Sequence, residues 1–389
     1  MIFELIFWIL FLVCIYAYFG YPVILLLMSV FHQKTVNKDD RYTPSITFIV
    51  AAYNEEDVIG KKLDNLTSQI YDDEKIEIII ASDGSTDATE DIVLNRIGRD
   101  ARIKLLALSR KGKANALNEA AEVATGDILI FTDANAMLDA HAARFLVASF
   151  SDSEVGCVAG NQHYSRSEKT SGSGLGEILY WRYDRWIKDV ETRVGNAISA
   201  DGALYAVRRK LFIPITDPAA TDDFFISTRV VLQGYRLVYE SRAEVVEATA
   251  GTSTREFKRK ARIINRGLRS LFGLGDFLLP WVGGFYSIQL ISHKLLRRLV
   301  PALLPFLLLV NTMIWSVSGF YFFSLILQVV VYMLGIVGFM LSGNTRWGKI
   351  RILYIPYYFC QANVAGLLGL IWFIQGQQIS FWSPQREEA

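Results

Sequence analysis

Hydrophobic and polar positions divide this chain into regions with different patterns. Residues 1–31 are almost continuously apolar, with Glu4 as the only charged residue, and they are long enough to span a bilayer. Between residues 45 and 250, short apolar runs alternate with polar stretches of helical character. Three long apolar runs return between residues 299 and 376. The pattern predicts a globular region between an N-terminal transmembrane helix and three C-terminal ones.

The globular region has the pattern of an α/β fold. Strands that are apolar on both faces and alternate with helices are typical of a parallel sheet covered by helices. The predicted strands are Ile46–Ala51, Ile76–Ala81, Ile103–Leu108, Asp127–Thr132, Val155–Gly160 and Ser199–Arg209, the last lifting a polar loop toward the site. The predicted helices are Asp57–Ser68, Thr86–Ile97, Lys113–Ala124 and Gly174–Val194. We therefore expect a mostly parallel sheet.

Polar side chains follow the ends of three predicted strands. Asn54 and Glu55 follow the first strand, Asp83 ends the second, and Asp133 follows the fourth. Because the carboxyl ends of parallel strands meet at one edge, where open α/β folds bind their ligands, we expect these side chains to converge. For each motif alone, a strand that simply ends in a polar turn is the alternative.

Phosphate chemistry is indicated by a candidate metal site and a candidate cation. Asp133 and Asn135 offer oxygens that hold a hard divalent cation, Mg²⁺ or Mn²⁺, and such a cation neutralises a diphosphate. The first strand is not followed by Gly-x-Gly-x-x-Gly, and the sequence contains no Walker lysine motif. Lys113, at the start of a helix, is the candidate phosphate ligand. An ordinary solvated lysine is the alternative.

Asp222 and Asp223 begin another predicted helix. Carboxylates are favoured there by the helix dipole, and capping of the helix explains one of them. The second carboxylate indicates chemistry, so we predict that the pair is catalytic. The polar loop at Asp201 and Gly202 is expected to reach the same site, and we assign it to binding of the acceptor.

Composition narrows the class of protein. Of 389 residues, 52% are hydrophobic and 20% are charged, which is too apolar for a wholly soluble protein. The net charge of +1 gives no indication of nucleic-acid binding. The three cysteines and four histidines are scattered, without the spacing of a metal cluster or a disulfide framework.

Basic residues predict the orientation in the membrane. Lys34 and Arg41 follow the first apolar stretch, and the positive-inside rule then puts residues 45–250 in the cytoplasm. Arg255–Phe272 is basic and amphipathic, so residues 251–298 are expected to lie along the membrane surface, in contact with its lipids. The sequence therefore predicts a multi-pass protein of the cell (inner) membrane with a cytoplasmic catalytic domain.

Five short motifs in this order, with membrane flanks, resemble the family-2 glycosyltransferases. They are similar in particular to the membrane-embedded branch that includes cellulose, hyaluronan and poly-N-acetylglucosamine synthases. The motifs are Ala51-Ala52-Tyr53-Asn54-Glu55, Ser82-Asp83-Gly84-Ser85, Lys113-Ala114-Asn115, Thr132-Asp133-Ala134-Asn135 and Thr221-Asp222-Asp223. The resemblance covers roughly the whole chain and implies the GT-A fold. The roles that it implies are uridine binding by Tyr53, Glu55 and Asp83, diphosphate binding by Lys113, ribose and metal contact by Asp133, and general base for Asp223.

Two departures from the family pattern concern the metal and the product. The family's metal motif is Asp-x-Asp, whereas Asn135 occupies the second acidic position, so metal affinity should be lower. The synthases carry Gln-x-x-Arg-Trp where this chain has Arg259-Lys260-Ala261-Arg262-Ile263-Ile264. Arg262 keeps a cation for the diphosphate. The missing tryptophan, which would stack on the acceptor's terminal sugar, argues against processive polymerisation.

The sequence therefore predicts an inverting glycosyltransferase that uses a hexosyl or N-acetylhexosaminyl donor. The UDP-sugar would react with a lipid-linked or polysaccharide acceptor during synthesis of a cell-surface polysaccharide or glycolipid. A processive synthase that also translocates its polymer is the main alternative. A catalytically inactive scaffold is a third, although carboxylates at each expected position argue against it.

Overall fold

The computed structural model describes residues 1–165, 174–217, 220–248, 253–341 and 350–377. These residues form two compact units. The sheet unit comprises the described residues of Met28–Ser165 and Arg185–Ala250. The helical unit comprises the described residues of Met1–Leu27, Arg166–Asp184 and Gly251–Gln378.

Strands and helices alternate through the first part of the sheet unit, as the sequence pattern predicts. The strands are β1 (Ile46–Ala52), β2 (Ile76–Asp83), β3 (Ile103–Leu108), β4 (Ile128–Phe131), β5 (Ala136–Leu138), β6 (Val155–Ser165), β7 (Tyr205–Arg208) and β8 (Arg236–Ala248). The α-helices of the described residues are α1 (Ile2–Ile15), α2 (Tyr21–Phe31), α3 (Glu56–Thr67), α4 (Thr89–Ile97), α5 (Lys113–Val123), α6 (Ala142–Ala148), α7 (Gly174–Val194), α8 (Asp222–Leu232), α9 (Ser253–Phe272), α10 (Pro280–Gln289), α11 (Arg297–Ile314), α12 (Gly319–Leu341) and α13 (Arg351–Ile374).

The eight described strands form one mixed sheet in the order β3-β2-β1-β4-β7-β6-β8-β5. The first four strands of the chain pair in parallel. β7 runs antiparallel to both of its neighbours, β4 and β6, whereas β6 and β8 are parallel and β5 and β8 antiparallel. The predicted α/β fold is confirmed, and the later strands add antiparallel pairings that the sequence pattern did not indicate.

The register of the parallel strands brings their polar ends together. Ala52 of β1 pairs with Ser82 of β2, and Phe131 of β4 pairs with Ile49 of β1. Every residue of β1, β2 and β4 is buried, because helices cover both faces of the sheet. Most side chains of the polar motifs therefore come just after the last residue of a buried strand. The edge of the sheet where these motifs meet forms the candidate site.

The helical unit contains four stretches that are long and apolar enough to cross a membrane, counted over the described residues. They are Ile2–Phe31, Pro280–Ile314, Gly319–Leu341 and Arg351–Ile374. They are consistent with a transmembrane region. The second stretch begins well before residue 299, the predicted boundary, because α10 continues through a π-helix at Leu290–Leu296 into α11. The stretch is kinked at Gly284, whose φ is 60°.

Helix α9, predicted to lie along the membrane surface, packs against α13 within the helical unit. A Cβ added to Gly369 would lie 3.0 Å from the Cβ of Ile264, so glycine permits close approach of the two helices. Ile263, next to it, is 48% exposed. Part of the apolar face of α9 is thus covered by protein.

Candidate active site

Two tight turns, at the ends of β1 and β2, form one wall of the candidate site. Asn54 has a left-handed backbone, with φ 52°, which asparagine adopts more readily than most residues. Its Oδ1 accepts a hydrogen bond from the backbone N–H of Thr86 (2.8 Å), so the two turns are tied together. Gly84 has φ 69°, and a Cβ there would lie 2.9 Å from the backbone nitrogen of Arg110. Only glycine fits this close approach.

Asp83, at the end of β2, is completely buried and organises the turn before α5. Its carboxylate accepts hydrogen bonds from the backbone N–H groups of Lys111 (2.8 Å) and Gly112 (2.9 Å). The guanidinium of Arg110 also donates to it (2.6 Å) and lies over the Tyr53 ring, 3.3 Å from the ring centroid. The structure thus brings Tyr53 and Asp83, two predicted uridine ligands, into one cluster through Arg110, which was not predicted.

The other two residues predicted to bind the donor, Glu55 and Arg262, belong to different units of the structure. Glu55 is 4% exposed, and its backbone N–H donates to Thr89 Oγ1 (2.7 Å), so it lies in the same wall as Tyr53. Arg262 belongs to α9 of the helical unit and is not among the residues that the sheet unit brings together. Its role at the diphosphate stays a prediction.

Lys113 connects two of the predicted carboxylates. Its ammonium nitrogen lies 2.7 Å from Asp133 Oδ1 and 2.9 Å from Asp222 Oδ2. Burial alone would lower the pKa of Lys113, but the charges of the two aspartates outweigh burial and raise that pKa above its ordinary value. Lys113 is therefore a fixed, fully charged cation at the site and not the solvated surface lysine of the alternative interpretation.

Gly202 lies beside two carboxylates and leaves space between them. A Cβ added to Gly202 would lie 3.6 Å from Asp133 Oδ2 and 3.9 Å from Asp223 Oδ2. A side chain longer than alanine would therefore fill the space that both carboxylates border. The absence of a side chain keeps this space available to a ligand.

Asp223 is a completely buried carboxylate at this edge with a strongly raised pKa. Burial, followed by the negative charges of Asp222 and Asp201, raises the pKa of Asp223 to about 7. The backbone N–H of Phe224, which donates to Asp223 Oδ1 (2.8 Å), and the charge of Lys113 act in the opposite direction. A carboxylate with this pKa is suited to accept a proton near neutral pH.

Asp201, the predicted acceptor ligand, is held by a lysine that was not predicted. Lys188 on α7 is 1% exposed in its side chain and lies 2.5 Å from Asp201 Oδ2. Because Asp201 also raises the pKa of Asp223, it contributes to the electrostatic field at the site. Contact between Asp201 and an acceptor stays a prediction.

The two predicted metal ligands face different neighbours. Asp133 faces Lys113 and the space beside Gly202, whereas the Asn135 amide donates to Glu247 Oε1 (3.3 Å). In the part of the chain that the structure describes, no three His, Cys, Asp or Glu side chains surround a common metal position. A cation held largely by a diphosphate needs only one or two protein carboxylates. Asp133, beside the open space at Gly202, fits that arrangement.

Lys62 is a buried residue at the site that sequence reasoning missed. It is completely buried beneath the Asp133 turn; burial lowers the pKa of Lys62 to about 7, although the charge of Asp133 acts to raise it. A signal was present in the sequence, because Lys62 shares one helical face with Ile59 and Leu66. A lysine among the apolar positions of a helix is buried with them, and its ammonium then needs a buried hydrogen-bond partner.

Tyr205 is the other missed residue. It is completely buried on β7 and stacks on Phe131 of β4, with ring centroids 4.9 Å apart. Its hydroxyl has no hydrogen-bond partner among the residues that the structure describes. Burial and the charges of Asp222 and Asp223 raise the pKa of Tyr205 well above its ordinary value. No sequence signal identifies it, since a tyrosine in a strand is ordinary.

Comparisons with known proteins show which chains this protein is similar to. Residues 47–215 match the model of a family described as Glycosyl transferase family 2. A poly-beta-1,6-N-acetyl-D-glucosamine synthase of Staphylococcus aureus is 30% identical over 216 residues, which are 54% of this chain and 51% of the relative. The synthase of the same name from Staphylococcus epidermidis is 28% identical over 214 residues, again 54% and 51% of the two chains. The match thus spans about half the length of these relatives.

One solved structure is similar along nearly the whole chain. It is a mannosyltransferase from Pyrobaculum calidifontis, solved in complex with GDP-Man and Mn²⁺. The TM-score is 0.70 at 20% sequence identity, over 96% of this chain and 99% of the other. At this identity the likeness establishes the fold, and it extends over both the sheet unit and the helical unit.

Proposed function

We propose that this protein is an inverting membrane glycosyltransferase, because residues 47–215 match the model of glycosyl transferase family 2. It transfers a sugar from a UDP-sugar to a lipid-linked or glycan acceptor in the synthesis of a cell-surface polysaccharide or glycolipid. One observation carries the proposal. Asp223, with a pKa raised to about 7, borders the same open space at Gly202 as Asp133, which is bound to Lys113.

The donor is bound on the side of Tyr53, Asp83 and Lys113. The Tyr53 ring provides a face against which the uracil packs. In the structure, the Arg110 guanidinium lies over this ring. Lys113 balances the charge of the diphosphate, and its partners Asp133 and Asp222 hold it in place. Asp133, with Asn135 as the weaker ligand, would hold a Mg²⁺ or Mn²⁺, and such a cation would supply Lewis-acid stabilisation of the departing diphosphate.

The reaction is a direct displacement at the anomeric carbon. Asp223 accepts the proton of the acceptor hydroxyl while that oxygen forms a bond to the anomeric carbon. The bond from this carbon to the diphosphate oxygen breaks on the opposite face, so the configuration inverts and UDP leaves. Lys113 stabilises the negative charge that develops on the leaving oxygen.

The membrane region supports an acceptor that is anchored in a bilayer. The positive-inside rule favours a cytoplasmic sheet unit in the cell (inner) membrane, where nucleotide sugars are available. A lipid-linked acceptor then reaches the site from the membrane surface. Orientation is tested by a cysteine placed in the sheet unit at Lys104, half-exposed on β3: it should react with an impermeant thiol reagent only after lysis.

Polar groups in the spans favour one or a few transfers over polymer export. The Asn311 amide and the Ser324 hydroxyl bond to each other (3.2 Å), so they join α11 to α12. Gln328 donates to the Leu304 carbonyl (3.3 Å) and to the Tyr332 hydroxyl (3.2 Å). The Asn311–Ser324 and Gln328–Leu304 contacts join α11 to α12, which leaves fewer polar side chains to line a conduit.

Processive synthesis remains the second candidate, because the staphylococcal relatives are named polysaccharide synthases. Membranes that contain this protein alone, incubated with radiolabelled donor, distinguish the two. We expect a short, organic-extractable glycolipid. High-molecular-weight polymer would favour the synthase.

The first experiment is a screen of UDP-sugars for UDP release by the purified protein in detergent. Release from at least one donor, dependent on added lipid or glycan acceptor and absent in Asp223→Asn, is expected. UDP-N-acetylglucosamine belongs in the screen because of the staphylococcal relatives. No release from any nucleotide sugar, with acceptor lipids present, would refute the proposal.

A further inference from the structure

Lys62 on α3 contacts the chain on both sides of the predicted metal ligands. Its ammonium donates to Thr132 Oγ1 (2.8 Å) and to the carbonyl of Ala136. These two residues bracket the turn that carries Asp133 and Asn135. Lys62 therefore fixes the ends of that turn.

The contact continues to the loop on the acceptor side. Thr132 Oγ1, which accepts from Lys62, donates to the carbonyl of Ala203 (2.7 Å). Ala203 follows Gly202, whose Cα faces both Asp133 and Asp223. One buried chain of hydrogen bonds thus joins α3, the Asp133 turn and the Gly202 loop.

Asn65 on α3 and Gln69, two residues after the end of that helix, hold the chain further along. Asn65 donates to the carbonyl of Leu138 and accepts from its N–H, both at 2.8 Å. Gln69 donates to the carbonyl of Asp139 (3.0 Å) and accepts from the N–H of Ala143 (3.2 Å). These amides serve to anchor the segment. They provide a comparison for Lys62, which makes contacts of the same kind with a charged group.

An ionisable group is an unfavourable choice for a buried anchor. Lys62 is completely buried, and its two hydrogen-bond acceptors are neutral. Burying a charge is strongly unfavourable without compensation, and a methionine of similar volume would fill the space without that cost. Compensation comes from the nearby charge of Asp133. The cost indicates that Lys62 serves the site and not only the fold.

We propose that Lys62 is a positioning residue that holds the Asp133–Asn135 turn in the geometry that binds a divalent cation together with the donor diphosphate. The inference rests on the metal-assisted transfer proposed above. It goes further by assigning a role to a residue on a helix that carries none of the predicted ligands.

Charge and positioning predict opposite effects of removing this lysine. Loss of a positive charge near a metal site, by itself, strengthens binding of a cation. Loss of the two hydrogen bonds frees the turn, and removal of groups that orient metal ligands typically weakens metal affinity by roughly 10- to 100-fold. The direction of the change therefore identifies the role.

The experiment compares Mn²⁺ binding to the full-length protein with saturating UDP, measured from the free Mn²⁺ signal in electron paramagnetic resonance. Lys62→Met should raise the Mn²⁺ dissociation constant about 10-fold or more. Lys61→Met, an exposed lysine on the same helix, controls for charge, and Gln69→Met controls for loss of an anchor. Both controls should keep the wild-type constant. Lys62→Gln, which keeps an N–H donor but is one atom shorter, should lie between Lys62→Met and the wild type.

The outcomes separate this inference from the proposed function. An unchanged or lower dissociation constant in Lys62→Met would overturn the positioning role, as would an equal rise in Gln69→Met. If Lys62→Met does not fold, Lys62→Gln decides, and a wild-type constant there overturns the role. Failure of the wild type to release UDP from any sugar refutes the proposed function alone, because Mn²⁺ binding does not require transfer. Failure of the wild type to bind Mn²⁺ with UDP refutes the inference.

Discussion

The carboxylates Asp83 and Asp133 on the donor side of the candidate site differ from Asp223 on the acceptor side in how many partners they have. On the donor side, Asp83 accepts hydrogen bonds from Arg110 and two backbone N–H groups, and Asp133 is bound to Lys113. On the acceptor side, Asp223 receives one backbone N–H and lies near two other negative charges, so its pKa rises to about 7. Carboxylates with partners give fixed geometry for a ligand, whereas the poorly compensated one is ready to take a proton.

In the proposed mechanism, pairing rather than residue type therefore separates binding from catalysis at this edge. Asp222 and Asp223 are adjacent in sequence and both begin α8, but only Asp222 contacts the Lys113 ammonium. Asp222 thereby belongs to the donor side and Asp223 to the acceptor side. The predictions below test this division.

The largest effect is expected from removal of the base. Asp223→Asn should lower kcat by roughly 100-fold or more, because general-base assistance is worth that much. UDP binding, measured by calorimetry, should stay close to that of the wild type, since Asp223 is not on the donor side. Asp222→Asn is the matched control and should weaken UDP binding through the loss of a partner for Lys113. Near-wild-type turnover of Asp223→Asn would break the comparison.

Dependence on pH should follow the Asp223 carboxylate. The base acts only when ionised, so kcat/KM should rise with pH, reach half of its plateau near the pKa of about 7, and fall about tenfold for each unit below it. Asp222→Asn should move this limb to lower pH, because the charge of Asp222 is one cause of the raised pKa. Initial rates at low donor concentration between pH 5 and 9 measure the limb. A profile that is flat through this range would remove Asp223 from the role of base.

The same division explains what the sequence could predict. In the donor half, β1, β2 and β4 are buried along their whole length and each polar motif follows its own strand, so local pattern locates both the strands and the candidate ligands. Asp83 and Asp133 converge because parallel strands end at one edge. The later half depends on pairings between distant segments, such as β5 with β8, which no local pattern contains.

Interactions that cross the site were also beyond the sequence. The raised pKa of Asp223 arises from burial and from neighbours that the fold supplies. The contact of Arg110 with Tyr53 likewise depends on the turn that Asp83 organises. Lys62 is the exception, because a lysine among the apolar positions of α3 was visible and was passed over.

A smaller effect is expected from restoring the acidic residue at position 135. In Asn135→Asp the added charge should lower the Mn²⁺ concentration for half-maximal activity by several-fold, roughly threefold to tenfold, since cation affinity follows ligand charge. Glu247, which accepts from the Asn135 amide, would repel the new carboxylate and favour its rotation toward the metal. Mn²⁺ titration of UDP release measures the change. Full activity of the wild type in EDTA would contradict the assignment of Asp133 and Asn135 as metal ligands.

The smallest effect is expected from the hydroxyl group of Tyr205, which lies where β4 of the donor half pairs with β7 of the later half. Tyr205 on β7 pairs with Phe131 of β4, and its buried hydroxyl has no hydrogen-bond partner among the described residues. Because an unsatisfied buried polar group is unfavourable, Tyr205→Phe should stabilise the free protein by about 1 kcal/mol. Tyr71→Phe is the matched control: its hydroxyl donates to the Pro44 carbonyl (2.6 Å), so removing it should destabilise by a similar amount, about 1 kcal/mol.

Thermal unfolding of both variants in detergent, without ligand, measures this difference. For a unit of this size, 1 kcal/mol corresponds to a shift of roughly 2–4 °C in Tm, upward for Tyr205→Phe and downward for Tyr71→Phe. Added UDP and Mn²⁺ should stabilise Tyr205→Phe less than the wild type if the phenol finds its partner in the bound ligand. A fall in Tm for Tyr205→Phe would mean that the hydroxyl is already satisfied in the free protein. The polar groups between the two halves would then be as fully hydrogen-bonded as those on the donor side.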